Sequence, residues 1–327
     1  MKKINIGIVG GAGYTAGELI RILIFHPRVS IQFVHSTSNA SRSVCDVHTD
    51  LLGDCDLKFT SVIDQNIDVL FLCLGHGDSV KFLEQNTIHK SIRIIDLSQD
   101  FRIQGTFKKQ KRNFVYGLPE LNKDQIKNAE NIANPGCFAT AIELALLPLA
   151  AKKLLKEDVH ISAMTGSTGA GQSLKPETHF NWRYSNLSVY KAFEHQHLHE
   201  ISKSVVQLQP SYKKNIHLIP YRGNYTRGII ASVYTPFKGP EKEAIRLYKN
   251  YYKNESFTHV SENKIDLKQV VNTNKCFLHI EQHGDQLLIT SIIDNLLKGA
   301  SGQAVQNMNL MFGLEEKAGL GLKGTAF

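Results

Sequence analysis

The stretch Gly10-Gly11-Ala12-Gly13-Tyr14-Thr15-Ala16-Gly17 limits what this chain can fold into more than any other. It follows the apolar run Ile4–Val9 and precedes Leu19, Ile20, Ile22, Leu23 and Ile24, which recur at helical spacing. The pattern predicts a short buried strand, a glycine turn and a helix. At such a turn, glycines let the backbone come close to a pyrophosphate, and the free N–H groups at the helix start bind its charge. The spacing is Gly-x-x-Gly-x-x-Ala rather than the commoner Gly-x-Gly-x-x-Gly, so alone it reads equally as a tight structural turn. A second strand at 31–34, in register behind the helix, favours the dinucleotide reading, with Gly10, Gly13, Tyr14, Thr15 and Ala16 as the contacting residues.

The end of that second strand refines the cofactor. An NAD-preferring site usually carries an acid there for the ribose 2′-hydroxyl. This chain reads His35-Ser36-Thr37-Ser38-Asn39-Ala40-Ser41-Arg42. The hydroxyls of Ser36 and Ser38 with the Arg42 guanidinium suit a 2′-phosphate, and the expected cofactor is NADP(H).

Further apolar runs, Val69–Leu74 and Ile92–Leu97, alternate with helical segments, as in a parallel sheet covered on both faces. After Asn134-Pro135-Gly136 a helix is expected from Cys137 towards Lys156, with Pro148 as a kink. Beyond it, strand-like segments at 160–164, 228–234, 276–282 and 286–292 alternate with polar loops, and 301–313 reads as a final helix. The chain's 327 residues are enough for two domains. The expected architecture is an α/β Rossmann domain (1–136), an α+β catalytic and oligomerisation domain (137–300) and a C-terminal helical segment (301–327).

Composition excludes several classes. Hydrophobic residues at 42% and charged residues at 21% argue for a packed core and against a disordered chain. The longest nearly apolar run, 141–151, contains Glu143 and Pro148 and is shorter than a membrane span. Met1-Lys2-Lys3 before an apolar stretch has the look of a leader, but Asn5 and the glycines dilute it, so a strand is expected. Five cysteines at irregular spacing, with no Cys-x-x-Cys pair, fit a reducing cytoplasm. The formal charge of +8 admits nucleic acid or an anionic small molecule as partner, and the one basic cluster, 107–112, is short enough to be a solvated loop.

Two motifs bear on chemistry. Cys137 stands at the expected start of a helix, where the dipole and unsatisfied N–H groups favour a thiolate and offer donors to an oxyanion. The other cysteines read as small buried hydrophobes. His195-Gln196-His197-Leu198-His199-Glu200 lies about 60 residues on. Its histidines could bind a metal, or one could serve a thiolate as acid and base; no fourth ligand or His-Glu-x-x-His spacing is evident, so no metal is expected. Between the two motifs, Thr165–Gly171 is a small-residue loop that reads either as a flexible turn or as a place where Ser167 and Gly169 allow close backbone approach to the reacting carbonyl and the nicotinamide of the cofactor.

Together, GGAGYTAGE (10–18), DLSQDFR (96–102), YGLPE (116–120), NPGCFAT (134–140), GSTGAG (166–171), HQHLHEI (195–201) and DNLLKGASGQAVQ (294–306) resemble the N-acetyl-γ-glutamyl-phosphate reductases, relatives of the aspartate-semialdehyde dehydrogenases. The resemblance implies NADPH-dependent reduction of an acyl phosphate to an aldehyde through a thioester, in arginine biosynthesis. It places the nucleophile at Cys137 and the acid/base at His197, with His195 as alternative or helper. It makes Arg102 the first and Arg227 the second candidate for a bidentate grip on the substrate's carboxylate or phosphate, with Glu200 also on the substrate. It sets Asn295 near the nicotinamide and the C-terminal helix against the cofactor domain. A homo-oligomer, dimer or tetramer, is implied. The chain departs from the family in carrying His199 where proline is usual. Rivals are reduction of a related acyl phosphate (N-succinyl-glutamyl, carrier-bound aminoadipyl or aspartyl) and a non-catalytic NADP-binding sensor. With two polyanionic ligands implied, the +8 charge requires no nucleic acid.

Overall fold

In the computed structural model, residues 3–325 are described; the Met1-Lys2 start weighed above as a leader, and the last two residues of the C-terminal segment, lie outside them. The chain forms two compact units. One comprises the chain through Pro135 together with Ala300–Gly321, and the other Gly136–Gly299 with the tail from Leu322.

The first unit is built on eight strands: β1 (Ile4–Val9), β2 (Val29–His35), β3 (Phe59–Thr60), β4 (Val69–Leu72), β5 (Arg93–Asp96), β6 (Thr106–Phe107), β7 (Arg112–Tyr116) and β8 (Asn131–Ala133). They lie in the order β3-β2-β1-β4-β5-β8-β7-β6, parallel except for the β6–β7 pair. Every residue of β4 is buried, as expected of a strand covered on both faces. Strand order reverses between β1 and β4, the crevice where doubly wound sheets bind ligands. The glycine turn leaves β1 at this crevice and enters α1 (Tyr14–Leu23), so the helix begins inside the glycine-rich stretch, ahead of the apolar spacing from Leu19. Helices α2 (Asp78–Gln85) and α3 (Pro119–Lys127) complete the N-terminal part of the unit.

Helix α8 (Ser301–Met311) belongs to the first unit and is buried all round, and several of its polar residues find partners there. The Ser301 hydroxyl donates to the Thr15 carbonyl at 2.7 Å, and the Asn307 amide donates to the Gly117 carbonyl and Asn134 Oδ1. Asn309 donates to the carbonyls of Glu316 and Ala318.

Asp96 ends β5 fully buried, accepting the Ser79 hydroxyl at 2.6 Å and the Ser98 hydroxyl at 2.7 Å. Burial pushes its carboxyl up to about 6, against the pull of these hydroxyls and the Arg102 charge. A raised carboxyl favours the neutral form in the fold. Its stabilising contribution is therefore complete below the ordinary value near 4 and is lost as pH rises through about 6. Two pKa units correspond to about 3 kcal/mol. Asp96→Asn should flatten the stability profile between pH 4 and 7, read by urea unfolding at several pH values.

The second unit holds β9 (Val159–Thr165), β10 (Ser188–Val189), β11 (Ile216–Arg222), β12 (Ile229–Pro236), β13 (Thr258–Ser261), β14 (Cys276–His283) and β15 (Gln286–Ile293) in the order β10-β11-β9-β12-β15-β14-β13. The sheet is mixed: β9–β11 and β13–β14 pair parallel and the rest antiparallel. Its helices are α4 (Cys137–Ala151), α5 (Phe180–Arg183), α6 (His197–Leu208) and α7 (Glu241–Tyr252). Helix α4 is buried from Phe138 to Ala150 and ends at Ala151, short of Lys156. It runs through Pro148, which cannot donate to the Leu144 carbonyl one turn back. The Tyr252 hydroxyl donates to that carbonyl instead, at 2.5 Å, and the Tyr248 hydroxyl to Ala145.

Candidate active site

Cys137 and His197 each open a helix, and the two helix starts lie side by side. Cys137 is the first residue of α4, behind Gly136, which has no side-chain cap. His197 is the first residue of α6. Glu200, buried in the first turn of α6, accepts the Gly136 N–H through Oε2 at 2.9 Å, while its Oε1 lies 3.9 Å from His197 Nε2. The His197 ring occupies the space that a Cβ on Gly136 would need. Deeper along the pair, the Ser204 hydroxyl donates to the buried Glu143 carboxylate at 2.7 Å, locking α6 to α4.

His195 is buried beside this junction, its ring edge-on to Phe138 at 5.3 Å and to His197 at 4.6 Å. Its Nδ1 accepts the His197 backbone N–H at 3.2 Å, which leaves Nε2 to carry the proton of the neutral ring. His199 is exposed, so the third histidine of the run does not join the other two. Cys137 is partly accessible, at the helix end where negative charge is favoured. Its Cβ packs against Gly299, the last residue of the Asp-Asn-Leu-Leu-Lys-Gly stretch, where any larger residue would collide with it.

Tyr190 and Arg222 complete the cluster, and nothing in the sequence pattern singles them out. Tyr190 stands edge-on to His195 at 5.8 Å under the Arg222 guanidinium, 4.7 Å from the ring centre. Burial pushes the Tyr190 phenol up, and the nearby Cys137 charge adds to this. The pairing of β10 with the end of β11, Ser188 opposite Arg222, brings the two together across about 30 positions of chain.

Four expected ligand contacts prove to be engaged within their own units. The Nε/Nη2 edge of the Arg227 guanidinium is taken by buried Asp294, Nε to Oδ2 at 3.0 Å and Nη2 to Oδ1 at 3.2 Å. Asp294 also accepts the backbone N–H groups of Asn272, Leu296 and Leu297. Asn295 accepts the Gly228 N–H at 2.7 Å and donates to the Thr168 hydroxyl at 3.0 Å, pinning the 166–171 loop to the 226–228 turn. Ser167 likewise gives its N–H to the Tyr225 carbonyl, and Gly169 its N–H to the Gly166 carbonyl. In the first unit, Arg102 is buried and spends Nε on the Asn134 carbonyl and Nη2 on the Leu97 carbonyl, both at 2.8 Å, bracing the chain where β8 ends. Glu200, expected on the substrate, holds the cysteine loop. Asn295, Arg102 and Glu200 thus satisfy buried backbone groups, and Arg227 a buried carboxylate. Asp294→Ala would strand the Arg227 charge and three N–H groups, and should cost about 3 kcal/mol in denaturant unfolding.

The dinucleotide residues sit at the first unit's crevice. Gly10 adopts φ +80°, open to glycine, and a Cβ there would strike the Cys73 carbonyl. Gly13 precedes α1 with no side-chain cap, leaving the N–H groups at Tyr14, Thr15 and Ala16 facing the helix end. At the end of β2, Asn39 donates to the Ser36 and Ser38 hydroxyls and accepts from Arg42 Nη1, gathering all three residues expected at the 2′-phosphate. Asn39 is the member that composition alone did not select. The uncapped helix start and this hydroxyl and guanidinium cluster fit a phosphorylated dinucleotide.

Family models match both parts of the chain: "Semialdehyde dehydrogenase, NAD binding domain" over residues 5–129 and "Semialdehyde dehydrogenase, dimerisation domain" over 137–295. A relative from Christiangramia forsetii named N-acetyl-gamma-glutamyl-phosphate reductase is 58% identical over 99% of this chain and all of its own length. The chain belongs to the N-acetyl-γ-glutamyl-phosphate reductases of the semialdehyde dehydrogenase family. A reductase of the same name from Bacteroides fragilis (strain YCH46) is 56% identical over 99% of this chain and all of its own length. Among solved structures, aspartate semialdehyde dehydrogenase II from Vibrio cholerae, complexed with ASA, superposes with TM-score 0.73 at 14% identity over 96% of this chain and 99% of its own. The Candida albicans enzyme with NADP gives 0.72 at 13%, over 97% and 99%. These structures share the reductase's fold. The resemblance read from the seven motifs is thus borne out. Among the described residues, no helix of this reductase is long and apolar enough to cross a membrane.

Proposed function

We propose that the chain reduces N-acetyl-γ-glutamyl phosphate to N-acetyl-glutamate 5-semialdehyde with release of phosphate, in arginine biosynthesis, using Cys137 as nucleophile. The observation that carries the reading is the junction of the α4 and α6 starts, which puts a partly accessible cysteine, a buried histidine and a buried carboxylate at one point. An acyl phosphate is an activated carbonyl with a good leaving group, so the Cys137 thiolate displaces phosphate and forms a thioester. N–H groups at the start of α4 stabilise the oxyanion. A bound reduced nicotinamide supplies the hydride that brings the acyl group to the aldehyde level. His197 moves the proton as the thiolate leaves, with His195 and Glu200 fixing its position. NADP(H) is held by Gly10, Gly13, Tyr14, Thr15 and Ala16 and by the Ser36, Ser38 and Arg42 cluster. The same reading makes the protein a cytoplasmic homo-oligomer, supported by the dimerisation-domain match and the odd, irregular cysteine set.

Steady-state assays of semialdehyde oxidation with phosphate test the reading. Turnover is expected with NADP⁺ and acetyl-glutamate semialdehyde, and weaker turnover with NAD⁺. Preference for succinyl-glutamate or aspartate semialdehyde would replace the substrate assignment.

A further inference from the structure

Two cysteines that play no part in this chemistry lie against one another in the first unit. Cys45, partly exposed, sits in the single turn Val44–Asp46, and Cys55, buried, lies ten positions on. The Cys45 thiol donates to the Cys55 carbonyl at 3.1 Å and the Leu51 carbonyl at 3.4 Å, which sets its sulfur against the backbone of Cys55. Burial pushes the Cys55 thiol up, and the neighbouring Cys45 adds to this. The Cys45 sulfur thus already lies against the residue that would be its partner. The other two cysteines outside the proposed chemistry differ: Cys73 is pushed up to about 12 by burial, and Cys276 faces Ser291 inside the second sheet.

The segment that carries the pair is a closed loop. Val44 donates to the Leu57 carbonyl, Phe59 donates to the Arg42 carbonyl, and Ser43 bridges Lys58. Between the cysteines, the buried His48 reaches back through Nε2 to the Gly11 carbonyl at 2.7 Å, inside the glycine turn. Arg42, just before the loop, pairs with Asp46 beside Cys45 at 3.7 Å. The loop therefore touches both places where the dinucleotide is expected: the pyrophosphate turn through His48 and the 2′-phosphate cluster through Arg42.

We propose that Cys45 and Cys55 are a redox pair, which a peroxide converts to a disulfide that shifts the 44–57 loop and weakens dinucleotide binding. The more accessible Cys45, as thiolate, attacks one peroxide oxygen. The O–O bond breaks, leaving a sulfenic acid on Cys45 and, after protonation, one water. The Cys55 sulfur then attacks the Cys45 sulfur, the S–O bond breaks, and a second water leaves with the Cys55 proton. Two electrons pass from the thiols to the peroxide. The new bond draws Cys45 off the Leu51 and Cys55 carbonyls that set the loop and so pulls on His48 and Arg42. The disulfide stands on loop geometry alone; the loss of affinity rests on the cofactor placement given under Proposed function.

The test uses the full chain treated with stoichiometric hydrogen peroxide, then alkylation and non-reducing peptide mapping, with NADPH binding followed by fluorescence. Binding is read rather than turnover because Cys137 is also open to oxidation. A linked Cys45–Cys55 peptide is expected, with the NADPH dissociation constant raised at least about fivefold, restored by dithiothreitol and unchanged by peroxide in Cys45→Ser. Cys45→Ala serves if the serine variant misfolds. Recovery of Cys45 and Cys55 as separate alkylated or over-oxidised residues would overturn the redox pair. A linked peptide with unaltered NADPH affinity would overturn the coupling to the cofactor. Failure of the reduced protein to bind NADPH at all would show instead that the cofactor placement is wrong.

Discussion

Cys137→Ser should lower kcat by at least about 10⁴-fold while leaving NADPH affinity within a few-fold, a loss in keeping with removal of a covalent nucleophile. A serine hydroxyl at the start of α4 has the same position but remains protonated near neutrality, and the helix end that favours a thiolate gains it little. Gly299 packs on the cysteine Cβ, which serine keeps, so the fold and the α4–α6 junction are undisturbed. Fluorescence titration of NADPH separates loss of chemistry from loss of binding. Wild-type turnover by this variant would refute the nucleophile.

His197→Ala should cost about 10²–10⁴-fold in kcat, the range for a positioned acid and base. The ring lies over Gly136, and Glu200 holds both the Gly136 N–H and the approach to Nε2. The loss should therefore appear in kcat more than in KM, and the limb of the pH–rate profile assigned to the histidine should disappear. His195 differs in having Nδ1 committed to a backbone N–H, and His195→Ala should be the milder change. A larger loss at His195 than at His197, with both variants melting like the wild type, would transfer the acid/base role to His195.

In the first unit β1, β4 and β5 were legible in the sequence because they are apolar runs, and the turn after β1 because it needs a φ that only glycine adopts freely, whereas the short or mixed strands β3, β6, β7 and β8 were not. The second unit was legible only in part. Strand β11 escapes a sequence reading because Pro220 interrupts it, yet it pairs along its length with β9, its two-residue neighbour β10 leaving the other side mostly open. Helix α6 was hidden in a histidine run that reads first as chemistry. Motif residues were found, but their partners were not: Arg227, Asn295 and Arg102 have the side chains of ligand grips, and only three-dimensional placement shows their polar atoms paired with Asp294, Gly228, Thr168, Asn134 and Leu97. Tyr190 and Arg222 carry no motif, since strand pairing rather than spacing joins them.

The central claim is the thioester on Cys137, and it can be trapped. Mixing the wild-type enzyme with N-acetyl-γ-glutamyl phosphate in the absence of NADPH should release one phosphate per active site in a burst and leave one hydroxylamine-labile acyl adduct, on the peptide containing Cys137. Absence of the burst, or an adduct at any other residue, would contradict the account.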